Sequence, residues 1–139
     1  MKIVIIDGQG GKLGKLLVEQ LKQACPTVQL YAIGTNSIAT ATMLKAGADF
    51  GATGENPVMR NVMDADVVLG PTGIVVAHAI LGEVTPAMAE AIGGCRAPKL
   101  LIPMNSCGVW VAGVQELPLS TYVNQIVERV CQMIARTQA

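Results

Sequence analysis

The chain has 139 residues and a mass of 14.5 kDa, which fits one domain over residues 1–139 and leaves little length for a second one. Its ten basic and ten acidic residues cancel, and nucleic-acid binding is not expected of a chain without a basic surface. Hydrophobic residues make up 51% of the chain and aromatic residues only 3%. The core must therefore be aliphatic, as in a parallel sheet buried between helices.

The sequence also predicts a cytoplasmic protein that self-associates. A strand begins at residue 2, which leaves no room for a signal peptide, and no apolar stretch approaches the roughly 18 residues that span a bilayer. The four cysteines are widely separated and form no C-x-x-C pair, which favours a reducing compartment and predicts no metal site. Because charged residues amount to only 14% of the chain, we expect a second copy to cover part of the surface in a homo-oligomer.

The first element carries the clearest functional signal. An apolar, strand-like run from Lys2 to Asp7 leads into a glycine-rich loop and then into a helical pattern that ends before Pro26. Glycines let a backbone approach a phosphate closely, and a helix that begins behind them directs unpaired N–H groups at the same point. The sequence therefore predicts that a nucleotide or another phosphorylated ligand binds at Gly8, Gln9, Gly10, Gly11, Lys12, Leu13 and Gly14.

The spacing of the loop excludes two common phosphate-binding motifs. A Walker A motif fails because leucine follows Gly-Lys in both possible registers, where a hydroxyl should bind Mg²⁺. The G-x-G-x-x-G motif fails because its third glycine would fall at Leu13. Gly8, Gly11 and Gly14 instead fit G-x-x-G-x-x-G, which resembles the loops of several NADP-linked reductases. A tight strand-to-helix turn without a ligand is the structural alternative.

Asp7 is unusual at the end of a strand that precedes a phosphate-binding loop. A carboxylate there would repel a pyrophosphate unless it accepts hydrogen bonds from the loop's own N–H groups. We therefore predict that Asp7 organises the loop.

Strand-like and helical patterns alternate along the rest of the chain. Further strands are predicted at residues 28–33, 48–53, 66–69, 99–103 and 109–114. Helices should follow the second strand through about residue 46, begin at a cap at Asn56 and again at Thr85-Pro86, and close the chain over residues 119–136. This order predicts a Rossmann-like α/β fold, a doubly wound and mostly parallel sheet with helices on both faces. Ligands of such sheets bind at the carboxyl ends of the strands, where the strand order reverses.

The turn after the second strand bears on the choice of cofactor. Thr35, Asn36 and Ser37 stand where an acidic residue would bind the ribose of NAD or an arginine would bind the 2′-phosphate of NADP. Their side chains and the N–H groups of the next helix could hold a phosphate. A phosphate site at this point slightly favours NADP over NAD as the ligand. Simple capping of that helix explains the same residues equally well.

The turn after the fourth strand completes the predicted binding site with Gly70, Pro71, Thr72 and Gly73. In dinucleotide-binding domains the chain passes near the nicotinamide ribose at this point. An ordinary turn containing Pro and Gly is the alternative.

Catalytic groups are sparse. The Tyr-x-x-x-Lys pair of short-chain dehydrogenases is missing, and His78, the only histidine, lies in an apolar run that predicts a buried or interface residue. Cys107 follows a strand end, but as a nucleophile it would need a base such as His78. The sequence leaves open whether the protein is an enzyme, and the candidate catalytic residues are Thr72, His78, Asn105 and Cys107.

Four segments together resemble a known family: IVIIDGQGGKLG, IGTNSIATATMLKAGADFGATGEN, ADVVLGPTGIVVAHAILGEVTPAMAEAI and LLIPMNSC. The family consists of short bacterial proteins known only as a domain of unknown function, and the resemblance extends over nearly the whole chain. It implies a Rossmann-like fold and no established activity.

The leading hypothesis is a domain that binds NAD(P), or a related nucleotide or phosphorylated ligand, in the cleft between the three turns. One alternative is a small NADP-dependent oxidoreductase that uses Thr72, Asn105 or Cys107 near the reacting carbon. Another is a sensor or scaffold whose oligomer responds to a ligand without chemistry.

Overall fold

The computed structural model describes residues 1–104 and 107–138 of the chain. Strands and helices alternate through this part. The strands are β1 (Lys2–Asp7), β2 (Gln29–Gly34), β3 (Phe50–Thr53), β4 (Val67–Pro71) and β5 (Lys99–Ile102). The helices are α1 (Lys12–Ala24), α2 (Ser37–Ala46), α3 (Glu55–Val62), α4 (Pro86–Gly94) and α5 (Leu119–Gln138), and a short 3₁₀ helix (Thr72–Val75) follows β4.

The strands form one parallel sheet in the order β3-β2-β1-β4-β5. The central strand β1 pairs with β2 on one side and with β4 on the other, so that Ile5 lies opposite both Ala32 and Leu69. The chain therefore winds outwards from β1 in both directions and the strand order reverses between β1 and β4. The predicted doubly wound α/β fold is confirmed.

Helices cover both faces of this sheet. Successive side chains of a strand point to opposite faces, so Ile3 and Ile5 pack in one cluster with α1 and α5, while Val4 and Ile6 pack in a second cluster with α3 and α4. All four side chains are fully buried. A strand that is covered on both faces needs the unbroken apolar run that the sequence shows at β1.

The predicted sixth strand at residues 109–114 is wrong. The segment turns back on itself, because Gly113 has a φ of 84° and the N–H of Val114 donates to the carbonyl of Val111 at 3.3 Å. An apolar run becomes a strand only when it finds a partner, and this segment forms no ladder with the edge strand β5. Its side chains are exposed instead.

Asn56 does not cap α3 as predicted. The helix begins two residues earlier than predicted, at Glu55, and its cap is Gly54, whose φ of 104° favours glycine. The Gly54 carbonyl already accepts the first helical hydrogen bond, from the N–H of Val58 at 3.1 Å. Asn56 therefore lies inside the first turn of the helix.

Candidate functional site

A cavity of about 370 Å³ opens at the carboxyl edge of the sheet, between the ends of β1 and β4. This is the point where the strand order reverses, which is the usual ligand site of doubly wound sheets. One wall is the loop after β1 and the other comes from the segments that follow β4 and β5. The lining residues are Asp7, Gly8, Gln9, Gly10, Gly11, Lys12, Leu13, Pro71, Gly73, Ile80, Leu81, Met104, Cys107 and Leu119.

Asp7 holds the glycine-rich loop in shape, as predicted. Its carboxylate is buried, with one oxygen accepting the N–H of Gly8 at 2.8 Å and the other accepting the N–H of Gly14 at 2.7 Å. The two bonds join the beginning of the loop to the first turn of α1. Because both oxygens are engaged by the loop, the carboxylate belongs to the scaffold of the cavity.

The ionisation of Asp7 reflects this enclosed position. Burial raises the pKa of the Asp7 carboxyl above its ordinary value of 3.8, and the negative charge of Glu83 adds to the increase. The hydrogen bonds from Gly14 and Gly8 lower the pKa but do not offset the burial.

The loop leaves three backbone donors at the cavity. Gly11 caps α1 in a left-handed conformation with a φ of 74°, and its own N–H donates to the carbonyl of Gly8 at 3.0 Å. Within the described residues, the N–H groups of Gly10, Lys12 and Leu13 have no protein acceptor. Free N–H groups beside the positive end of a helix dipole are the kind of arrangement to which anions bind.

A residue that sequence reasoning missed, Glu83, lies on the far side of the same loop. One of its oxygens, Oε1, accepts three hydrogen bonds: from the N–H of Gln9 at 3.0 Å, the hydroxyl of Thr35 at 2.7 Å and the side-chain amide of Asn36 at 2.7 Å. Glu83 is 74 residues from Gln9 in sequence, so no local pattern could reveal the contact. The segment after β4 reaches the end of β2 by crossing the end of β1, which lies between these two strands in the sheet.

These contacts keep Glu83 charged. Partial burial raises the pKa of its carboxyl, but the hydrogen bonds from Thr35, Gln9 and Asn36 lower it by more, so the pKa lies below the ordinary value of 4.5. The end of β2 therefore carries a fixed negative charge.

Glu83 is held by a short segment with an unusual backbone, residues 76–84, which we call the strap. Positive φ angles occur at His78, Ile80 and Leu81, at 68°, 56° and 53°, and such angles cost about 1–3 kcal/mol each in non-glycine residues unless the surroundings enforce them. The strap closes on itself, because the N–H of His78 donates to the carbonyl of Val84 at 2.7 Å. The bonds of Glu83 then fasten the closed strap to the β1 and β2 turns.

Two of the three residues predicted to bind a phosphate after β2 are engaged elsewhere, and the third is exposed. Asn36 caps α2, since its side-chain oxygen accepts the N–H of Ala39 at 2.9 Å, and its amide donates to the carbonyl of Gln9 as well as to Glu83. Thr35 donates to Glu83. Ser37 is exposed in the first turn of α2, and none of the three residues lines the cavity.

The predicted residues after β4 divide into two groups. Pro71 and Gly73 line the cavity. Gly70 is buried against β1, where a side chain would lie 2.5 Å from the carbonyl oxygen of Ile6. The Thr72 hydroxyl accepts the N–H of Met104 at 3.0 Å and so joins the segment after β5 to the end of β4; it lines a neighbouring cavity of about 290 Å³.

Two of the candidate catalytic residues are in contact, since the Thr72 hydroxyl oxygen lies 3.8 Å from the Cys107 sulfur. Cys107 lines the main cavity and its thiol donates to the carbonyl of Met104 at 3.0 Å. His78 is exposed on the strap, so it is not a core residue of the single chain, and its place at an interface stays a prediction. Asn105 lies outside the described residues.

In the part of the chain that the structure describes, no group of three or more His, Cys, Asp or Glu side chains is placed to hold a metal ion. No helix among those residues is long and apolar enough to cross a membrane.

The parallel order of the sheet and the loop at the strand reversal define a Rossmann-like domain with a candidate ligand cavity. Comparison with protein families gives a match over residues 2–135 to the family described as Domain of unknown function (DUF3842). The chain belongs to this family, as the resemblance of its sequence indicated. No curated protein matches the chain.

Among solved structures, the chain is similar to a dodecameric FMN-dependent Ubix-like decarboxylase from Escherichia coli O157:H7. The sequences are 18% identical, the TM-score is 0.44, and the match covers 96% of this chain and 76% of the other.

Proposed function

We propose that the protein binds a nucleotide or another phosphorylated small molecule in the cavity between β1 and β4. The observation that carries the proposal is that Gly10, Lys12 and Leu13, whose backbone N–H groups have no acceptor among the described residues, line a cavity of about 370 Å³ at the strand reversal. A phosphate placed there would satisfy donors that the described residues leave without an acceptor, next to the positive end of α1.

The rest of the cavity suits the remainder of such a ligand. Lys12 adds a cationic side chain at the edge, while Ile80, Leu81 and Met104 supply an apolar wall. Small-molecule sites combine an apolar lining with a few convergent polar groups in this way. NAD and NADP are candidate ligands along with mononucleotides, and the proposal assigns no reaction.

Isothermal calorimetry with NAD, NADP, AMP, flavin mononucleotide and inorganic phosphate tests the proposal. Gly10→Asp is the informative variant, because a side chain at Gly10 meets nothing within 4 Å and its charge would face the phosphate donors. Juxtaposed like charges cost several kcal/mol, so the affinity should fall by about 100-fold or more. Gly11 is unsuitable, because a side chain there would lie 2.9 Å from the backbone of Ala39.

Gly93→Asp is the matched control, since it makes the same change at an equally open glycine in α4. Binding that is lost in Gly10→Asp and kept in Gly93→Asp supports the site. The proposal is wrong if no ligand of the panel binds the unaltered protein, or if Gly10→Asp binds as tightly as Gly93→Asp.

We also propose that a second copy of the chain covers the exposed apolar segment at residues 109–114. Its exposed side chains include Trp110, at 77% exposure, and it follows the edge strand β5. Exposed apolar surface of this kind, in a chain with only 14% charged residues, supports a homo-oligomer.

A further inference from the structure

The carboxyl end of β2 is closed. In Rossmann folds that bind dinucleotides, the pyrophosphate lies on the loop after β1 and the adenosine ribose lies at the end of β2. Here the donors at that end, the Thr35 hydroxyl and the Asn36 amide, are bonded to Glu83 of the strap. A third donor, the N–H of Gln9 in the loop itself, is bonded to the same oxygen.

The shape of the cavity agrees with this closure. Its lining includes the loop after β1 and the turn after β4, but neither Thr35 nor Asn36. Ile80 of the strap fills part of the gap, since a side chain at Gly8 would lie 3.1 Å from it and 2.9 Å from the Glu83 carboxylate. The open volume of about 370 Å³ is near the lower end of the roughly 300–1,000 Å³ that small-molecule sites occupy.

We infer that the site selects mononucleotide-sized phosphorylated ligands and that Glu83 excludes dinucleotides by occupying the place of their adenosine half. This inference rests on the proposed function and specifies its ligand class. A mononucleotide needs only the three N–H donors and the β4 side of the cavity. A dinucleotide must also move Glu83 away from three donors, and hydrogen bonds to a charged acceptor are about twice as strong as neutral ones.

Glu83 thereby acts as the specificity-determining residue. Its negative charge at the end of β2 is most unfavourable for NADP, whose 2′-phosphate would lie next to it. A carboxylate of the same chain occupies the turn at Thr35, Asn36 and Ser37. The residues of this turn by themselves suggest a phosphate site.

Calorimetry with NAD and its two halves, AMP and nicotinamide mononucleotide, tests the inference, because the three probes share the same chemical groups. The unaltered protein should bind one of the halves at least tenfold more tightly than it binds NAD. Glu83→Ala should increase the affinity for NAD at least tenfold and leave that for the preferred half within twofold. Glu90→Ala, a change at an exposed glutamate of α4, should change neither.

Glu83→Gln covers the case in which Glu83→Ala fails to fold. Its amide oxygen can accept the same hydrogen bonds without the charge, so the affinity for NAD should rise by a smaller factor than in Glu83→Ala.

The possible results separate the two proposals. If neither NAD nor its halves bind the unaltered protein, the proposed function fails. If a half binds as expected but NAD binds more tightly still, the proposed function stands and the exclusion by Glu83 is wrong. For the Glu83 variant that folds, the ratio of the NAD affinity to the mononucleotide affinity should rise. The exclusion is also wrong if this ratio stays the same or falls, and a fall would indicate that Glu83 binds the ribose of NAD.

Discussion

The Asp7 carboxylate and the N–H of Gly14 are joined by a hydrogen bond of 2.7 Å that spans the whole glycine-rich loop. The third N–H of a helix normally needs a side-chain cap or water, and here the strand that precedes the loop supplies the acceptor. The N-cap residue itself is Gly11, which has no side chain to do so. The loop, the end of β1 and the start of α1 therefore form one unit.

Asp7→Ala should destabilise the fold. The substitution leaves the N–H groups of Gly8 and Gly14 without their acceptor, and a buried unsatisfied donor costs about 1–3 kcal/mol. The variant no longer carries the cost of burying the carboxyl, which offsets part of this loss. We therefore expect a net decrease of about 1–3 kcal/mol in the free energy of unfolding. Urea denaturation at neutral pH measures it. Glu128→Ala, at an exposed position of α5, is the control, and equal stabilities of the two variants would contradict the role of Asp7.

Asp7→Asn should change the pH dependence of stability. The pKa of Asp7 is raised in the folded protein, so its contribution to the free energy of unfolding is complete below its ordinary value of 3.8 and decreases as the pH rises through the raised pKa. Asparagine does not titrate. The stability of the unaltered protein relative to Asp7→Asn should therefore fall as the pH increases through this window. Parallel stability curves of the two proteins from urea titrations at several pH values would refute the shift.

The fold follows closely from the sequence because its signals are local. The unbroken apolar run at Ile3 to Ile6 shows a strand that is buried on both faces, and Pro86 after Thr85 marks the start of α4, where the Thr85 hydroxyl accepts the N–H of Met88 at 3.1 Å. Each signal involves residues within a few positions of one another. The apolar run at residues 109–114 has no comparable local signal. Whether it forms a strand depends on pairing with the edge strand β5, which the sequence does not show.

The candidate site is less accessible to sequence reasoning. The loop and Asp7 are recognisable because the donors and their acceptor are within seven residues of each other. The contact of Glu83 with Thr35 joins residues 48 positions apart, and it depends on the strained backbone of the strap. The same pattern at Thr35 and Asn36 is compatible with a phosphate or with a carboxylate of the same chain, and only the tertiary structure distinguishes them.

Gly11 and Gly10 should differ in their tolerance of alanine. Gly11 has a φ of 74°, and a side chain there would lie 2.9 Å from the Cα and carbonyl oxygen of Ala39. Gly10 has open space around it. Gly11→Ala should lower the free energy of unfolding by about 1–3 kcal/mol, while Gly10→Ala should leave it nearly unchanged. Thermal denaturation compares the two directly, and a Gly11→Ala protein as stable as Gly10→Ala would contradict the close packing of α1 on α2.

Cys25 should react slowly with alkylating reagents at neutral pH. Burial and a contact with Cys131, whose sulfur lies 3.0 Å away, raise the pKa of the Cys25 thiol from 9.0 to about 11, and the thiolate is the reactive form. The rate of iodoacetamide labelling at Cys25, followed by peptide mass spectrometry, should increase up to about pH 11. Cys131→Ala, which removes this contact, should accelerate it at pH 8. A labelling rate that levels off near pH 9 would contradict the raised pKa.

The same shift affects stability at alkaline pH. The fold favours the neutral thiol, so the contribution of Cys25 is complete below pH 9.0 and is lost as the pH rises through about 11. The unaltered protein should therefore lose stability relative to Cys25→Ala across this range. Denaturant titrations between pH 8 and the onset of alkaline unfolding test this, and a constant difference between the two proteins would oppose it.

Trp110→Ser should weaken self-association. Trp110 is 77% exposed and has Val109 and Val111 beside it, at 40% and 47% exposure, and aromatic side chains at the centre of an interface contribute most of its binding energy. Sedimentation equilibrium at micromolar concentrations should show an oligomer for the unaltered protein and a shift towards the monomer for Trp110→Ser. Ile38→Ser is the control, because it removes a comparably exposed apolar side chain, at 67% exposure, from α2. If the unaltered protein is a monomer, or if both variants sediment like it, the segment at residues 109–114 is not the interface.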